Sequence, residues 1–291
     1  MEREDAKRTI GNIRIQMIEN VRRQIERRHI HGEEIKVVVN GKPRRLLHYK
    51  SSTENPPVYF DIHGGGFAWG MVEEGDLFCH QICEQLGFEV YELDYPLVPD
   101  VEYPHSLEWL YETIYYLWEH CDEYHFDQEK MVIGGRSAGG NLAAAMCLLA
   151  KDRKQFQFLC QVLDHPYLDL CGIIATEERY MGKEALSQEF MEIIATAYAT
   201  QEGRKEYLCS PLNAAQEQLK SLPPAVIQTC ELDYLRPDGD LYGLRLQDAG
   251  VPVRMHCYPD VTHGFTEVEG PDEKKGQQWL IEGIRQFVEQ H

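Results

Sequence analysis

The chain has 291 residues, of which 43% are hydrophobic and 26% charged, and its formal charge is −19 at neutral pH. This is a globular composition, long enough for one large domain with a real core. The acidic balance excludes a nucleic-acid binder, which needs a basic face against phosphates. The longest apolar run, Leu142 to Ala150, is about half of what a membrane helix needs.

Residues 1–45 hold twelve Lys/Arg against seven Asp/Glu, so the only basic segment is the first one. Ile10, Ile13, Met17, Val21 and Ile25 fall on one helical face there. The helix is expected to end near His31-Gly32 and to dock on its own domain as a cap. A membrane-surface or partner role is the alternative. The opening Met1-Glu-Arg-Glu-Asp lacks the apolar segment of a signal peptide, so the chain reads as cytoplasmic. Nine scattered cysteines without a CxxC pair read as free thiols, with neither a disulfide framework nor a zinc knuckle.

Next, Ile35 to His48 reads as a hairpin turning at Asn40-Gly41, since both residues tolerate positive φ. Short apolar runs then alternate with helical stretches. Expected strands are Val58–Ile62, Phe88–Leu93, Met131–Ile133, Phe156–Leu163, Ala225–Thr229 and Val253–Tyr258. Expected helices are Glu74–Leu86, Ser106–Cys121, Asn141–Lys151, Asp238–Ala249 and Glu273–Gln290. Such alternation predicts a mainly parallel sheet covered on both faces by helices. The stretch 169–215 breaks the rhythm. It has helix-like pieces, such as Ser187 to Ala199, and no strand, and it is placed to be a lid over the strand ends. The whole chain, 1–291, reads as one domain with cap elements at about 1–31 and 169–215.

Three constellations carry chemistry. Gly135-Arg136-Ser137-Ala138-Gly139 lies between a strand and a helix, the setting of a nucleophile elbow. The helix N-terminus there favours developing negative charge. His63-Gly64-Gly65-Gly66-Phe67 follows the strand at 58–62. Its glycines let backbone N–H groups approach an oxyanion, in company with the N–H of Ala138. A phosphate nest is the alternative for that loop. Serine needs a base oriented by a carboxylate. Of the later histidines, His256 lies within a strand, His165 precedes any candidate acid and His291 is terminal. His263, in the loop after the last strand, is the expected base. Asp233 is the expected acid, with Glu231 its nearest rival. Asp238 and Asp240 suit the first turn of the following helix.

Together these stretches resemble the hormone-sensitive lipase family of α/β-hydrolase esterases. The resemblance extends to Asp94-Tyr-Pro-Leu-Val-Pro-Asp100, Ser210-Pro-Leu212, Leu222-Pro-Pro-Ala225, Glu231-Leu-Asp-Tyr-Leu-Arg236, Ala249-Gly-Val-Pro-Val253 and Tyr258-Pro-Asp-Val-Thr-His-Gly-Phe265. It covers about residues 58–290. It implies an α/β-hydrolase fold, with an eight-stranded, mostly parallel sheet and a helical cap. It also implies hydrolysis of short- to medium-chain acyl esters without metal or organic cofactor. By family position Gly65, Gly66 and Ala138 are the oxyanion donors, with Gly64 open as another. His63, Gly64 and Phe67 are expected at the substrate. The expected partner is a small ester, with no nucleic acid and no stable membrane insertion. Edge-strand homodimers are familiar in the family. An amidase or peptidase and a non-catalytic receptor on the same fold are the rival readings.

Two positions depart from the family pattern. Arg136 stands where an acidic residue is usual, and Pro96 replaces a common arginine. Arg136 either raises the local positive potential and favours an anionic substrate group, or is structural, pointing into solvent or pairing with a nearby carboxylate. The structural reading is preferred.

Overall fold

The computed structural model describes residues 1–174, 178–183 and 186–289. Eight strands form one sheet: β1 (Glu33–Val39), β2 (Lys42–Tyr49), β3 (Val58–Ile62), β4 (Glu89–Leu93), β5 (Met131–Arg136), β6 (Cys160–Asp164), β7 (Ala225–Leu232) and β8 (Val253–Thr262). Their spatial order is β1-β2-β4-β3-β5-β6-β7-β8. β1 and β2 form the hairpin, and β2 runs antiparallel to β4. All further pairs are parallel. Asn40 and Gly41 turn the hairpin with φ of 50° and 74°, which the right-handed twist of paired strands favours.

The helices are α1 (Arg3–Ile25), α2 (Asp76–Leu86), α3 (His105–Glu119), α4 (Ala138–Arg153), α5 (Gln188–Tyr198), the short α6 (Gln201–Lys205) and α7 (Gln216–Leu219), α8 (Arg236–Asp248) and α9 (Pro271–Val288). Strand side chains alternate between two cores. Met131 and Ile133 of β5, with Ala225 and Ile227 of β7, face α3, α4 and α8. Val132, Val162 and Val226 face Phe78 and Ile82 of α2 and Leu280, Ile281 and Ile284 of α9. The central strands β3 to β6 are therefore buried along their whole length, as a parallel sheet covered on both sides requires.

Element types follow the sequence pattern, and several ends differ. α1 stops at Ile25, where the apolar stripe gives way to Glu26-Arg27-Arg28-His29. α4 begins three residues before the expected Asn141. Gly139 and Gly140 look like helix breakers, but here the first turn of α4 is wedged against β3. A Cβ on Gly139 would collide with the carbonyl oxygens of Ile62 and His63. β8 continues through Pro259 to Thr262, which an edge strand tolerates. The closing helix ends at Val288, and Gln290 of the expected span lies outside the described residues.

α1 packs on α5. Ala6, Ile10 and Val21 of α1 are buried, and Arg14 bonds to Asp100 at 2.6 Å. Within 169–215 the described residues form helices and turns without a strand. Residues 175–177 and 184–185 of that stretch lie outside the described set. Arg179 anchors its first part, bonding to Asp169 at 2.9 Å and to Asp238 of α8 at 2.7 Å. All nine cysteines are free. No helix among the described residues is long and apolar enough to cross a membrane.

Candidate active site

The sheet register brings the three key residues together. Arg136 at the end of β5 pairs with Asp164 at the end of β6. Ser137 is the next residue, with φ 53° and ψ −115°, on the sharp turn into α4. Serine rarely adopts positive φ, so this turn is strained and held by its surroundings. A Cβ on Gly135 would strike Gly139, so the turn closes only with glycine at both ends. On the other side, Leu232 of β7 pairs with Thr262 of β8 across a local irregularity at Cys230–Leu232. Asp233 and His263 therefore leave neighbouring strands side by side.

His263 Nε2 lies 2.9 Å from Ser137 Oγ, and His263 Nδ1 lies 2.7 Å from Asp233 Oδ2. An ionised carboxylate only accepts, so the proton sits on Nδ1. Nε2 is then the acceptor for the serine hydroxyl. Asp233 is fully buried and also accepts from Leu235 N at 3.0 Å. Burial by itself would raise this carboxyl, but the His263 charge and hydrogen bond outweigh it and hold it below the ordinary value. Glu231 is engaged elsewhere, accepting from Asp260 N at 2.9 Å. Asp238 lies in the first turn of α8 and accepts the N–H groups of Leu168 and Asp169.

The glycine loop lies against this turn. A Cβ on Gly64 would be 3.6 Å from that of Ser137. Gly65 and Gly66 have φ of 96° and 59°, which glycine adopts freely. The Gly65 carbonyl accepts from Ala68 N and Trp69 N, both at 3.0 Å, and so fixes the loop. The N–H groups of Gly65, Gly66 and Ala138 have no acceptor among the described residues. His63 is buried beneath the loop, where it stacks on Tyr95 at 4.3 Å and bonds to the Gly64 carbonyl at 2.9 Å. Phe67 is also fully buried, stacked on Tyr198 at 3.9 Å. Both side chains thus face the interior and brace the loop. Over the loop, Ile194 and Trp69 close on Gly66, and Phe190 stacks on Trp69. These α5 and loop side chains were not identified from the sequence, because their contact depends on how the 169–215 stretch folds back.

Solvent reaches this region at few points. Between residues 131 and 140 only Ser137 is not buried, and between 61 and 70 only Gly65. Water and substrate therefore meet the serine and the loop, while the surrounding turn is sealed.

Arg136 takes the structural option. Its side chain follows the strand alternation to the α2/α9 face, away from the serine. There it bonds to Asp61 of β3 at 2.6 Å, with Glu92 at 3.8 Å and Glu267 at 3.7 Å. Burial opposes its charge, but the carboxylates of Asp61 and Glu92 hold the guanidinium firmly protonated. Asp61, Glu92 and Cys79 bring ligand-type atoms within 4.8 Å of one another, a spacing a metal could use. The Arg136 guanidinium already supplies a cation to both of those carboxylates. At the other departure, the Pro96 carbonyl accepts from Ser106 Oγ at 2.7 Å, and the preceding Tyr95 bonds through its hydroxyl to the His63 carbonyl at 3.1 Å.

The model of an α/β hydrolase fold family matches residues 59–267. A carboxylic ester hydrolase, LipN, of Mycobacterium tuberculosis is 29% identical over 82% of this chain, which spans 65% of its length. The versiconal hemiacetal acetate esterase of Dothistroma septosporum is 28% identical over 87% of this chain and 80% of its own. The solved structure of a hyperthermophilic esterase from the archaeon Pyrobaculum calidifontis superposes with a TM-score of 0.86. It is 29% identical and covers 95% of this chain and 93% of the other.

Proposed function

This chain belongs to the α/β hydrolase fold family and is a carboxylic ester hydrolase, and we propose that it works as a serine esterase on short- to medium-chain acyl esters. The observation that carries the reading is the unbroken series Asp233–His263–Ser137, with contacts of 2.7 and 2.9 Å. Ser137 Oγ attacks the ester carbonyl as its proton passes to His263 Nε2. Asp233 keeps the ring in the tautomer that can accept it and stabilises the imidazolium that results. The carbonyl oxygen, now negative, takes hydrogen bonds from Gly65, Gly66 and Ala138. Each such donor is worth roughly 10²–10³ in rate. The C–O bond breaks as His263 returns the proton to the leaving alcohol, which leaves an acyl group on Ser137. Water repeats the sequence with His263 as base and frees the acid.

α1 and the described parts of 169–215 act as a cap in this reading. Ile194, Trp69 and Phe190 form an apolar wall over Gly66. A wall that close suits a short acyl chain, and the acetate ester named for the Dothistroma relative is of that size.

The test is a series of nitrophenyl esters of increasing acyl length, run on the wild type and on Ser137→Ala, beside a matched anilide. Turnover that peaks on short acyl esters and vanishes in the variant supports the proposal. Undiminished hydrolysis by Ser137→Ala, or a preference for the anilide, contradicts it.

A further inference from the structure

A second buried histidine–carboxylate pair lies beside the first. The backbone oxygen of Asp164 accepts the Ser137 N–H at 2.9 Å. Its carboxylate accepts from His165 Nδ1 at 2.8 Å and from Gln228 Nε2 and Thr266 Oγ1, both at 2.6 Å. Thr266 stands three residues beyond His263 on the same loop, so Asp164, through its backbone oxygen and its carboxylate, ties the nucleophile's turn to the loop of the base. The His165 ring meets the His263 ring edge to face, with centroids 4.5 Å apart and planes at 80°. His165 is buried, and its Nε2 has no partner among the described residues. Chain order removes His165 as the base, because it precedes the acid. Only the fold places it against the base.

We propose that His165, held by Asp164, is a positioning residue for His263: it fixes the plane of that ring, and its imidazolium charge opposes protonation of His263, so that the base stays competent to lower pH. The inference rests on the assignment of Ser137, His263 and Asp233 above.

The surroundings support a charged His165. Burial alone would lower it, but the adjoining Asp164 carboxylate outweighs burial and leaves it raised, with Glu267 and Asp233 adding in the same sense. Asp164 itself is held below its ordinary value despite its burial, by His165 and its other donors. Asp61, Cys230 of β7 and Tyr258 of β8 also lie near this cluster; Asp61 is paired with Arg136. Burial pushes Cys230 and Tyr258 up, Tyr258 to about 12, so these two stay neutral. Glu267, on the loop of His263, is drawn towards Arg136 Nε at 3.7 Å. A cation this close to a second imidazole opposes a second positive charge there, and the Asp164 carboxylate offsets this only in part.

The test is the pH dependence of kcat/KM for a nitrophenyl ester, which reports groups of the free enzyme. It is run on the wild type, His165→Phe and His165→Gln, with active protein counted by fluorophosphonate titration. Phe keeps an aromatic edge without charge, and Gln keeps a donor for Asp164. The acid limb should move up by about one pH unit in both. Unmoved limbs, or an equal loss at every pH, overturn the proposal. If neither variant folds, imidazole NMR of the wild type decides. His165 should hold its proton to higher pH than His263, and the reverse order overturns the proposal. Hydrolysis that survives Ser137→Ala would instead sink the underlying triad. A dead Ser137→Ala with unmoved limbs sinks only this inference.

Discussion

Arg136 and Ser137 are neighbours in the chain and opposites in the fold. Ser137 sits on the α4 side of the sheet, is partly exposed, and meets a carboxylate and an imidazole arranged to move one proton. Arg136 points to the α2/α9 side and is sealed among Asp61, Glu92 and Glu267. The carboxylate behind His263 and those around Arg136 shift in opposite directions. Beside the serine, Asp233 is held below its ordinary value by its partner His263, which outweighs its burial. For the carboxylates next named, around Arg136, burial wins. Asp61 and Glu92 are raised, and Glu74 is raised to about 7. One cation among several buried carboxylates cannot neutralise them all, so some keep their protons. Proximity to a nucleophile in sequence therefore says little about a charged residue until its face of the strand is known.

The largest expected effects lie on the serine side. Ser137→Ala or His263→Ala should lower ester turnover by roughly 10⁴-fold or more without loss of fold, measured by steady-state kinetics and circular dichroism. Asp233→Asn should cost about 10⁴-fold, because Asn can hold the wrong tautomer. A small effect from all three variants would erase the distinction between the two sides.

Arg136→Met tests the other side. Asp61 and Glu92 would stay buried without their cation, so the folded state should lose about 3–5 kcal/mol, read from urea unfolding. A loss near zero would mean the pair is solvated and not sealed.

A smaller effect sharpens the contrast through pH. Glu74 titrates near 7 in the fold against an ordinary 4.5, so between those values the folded chain holds more protons than the unfolded. Stability from this group is therefore lost as pH rises through that window. Asp233 and Asp164 act in reverse, losing stability as pH falls below the ordinary carboxyl range. Glu74→Gln should gain about 1–2 kcal/mol on the wild type between pH 4.5 and 7.5, measured by unfolding at both. A difference that stays constant with pH would remove the claim that Glu74 is forced to keep its proton.

Much of the serine side was legible in the sequence. Glycine spacing, the order Ser137, Asp233, His263 and the placement of each after an apolar run are local signals, and a parallel sheet collects its strand ends on one edge. The alternation of β5 also carried the fate of Arg136, since Val132 and Arg136 are four residues apart and share a face. What escaped depends on long-range packing. His165 gained its neighbour only because β6 lies between β5 and β7. Ile194 and Phe190 reach the glycine loop only because α5 folds back under α1. The early start of α4 was hidden because Gly139 and Gly140 have poor helix propensity and are there for close approach to β3.

The most direct measurement is mass spectrometry of the chain after reaction with a fluorophosphonate, which captures an activated serine. The account predicts one adduct per chain, on Ser137, formed much more slowly in His263→Ala and absent in Ser137→Ala. An adduct on another serine, or full ester turnover with Ser137 unlabelled, would contradict it.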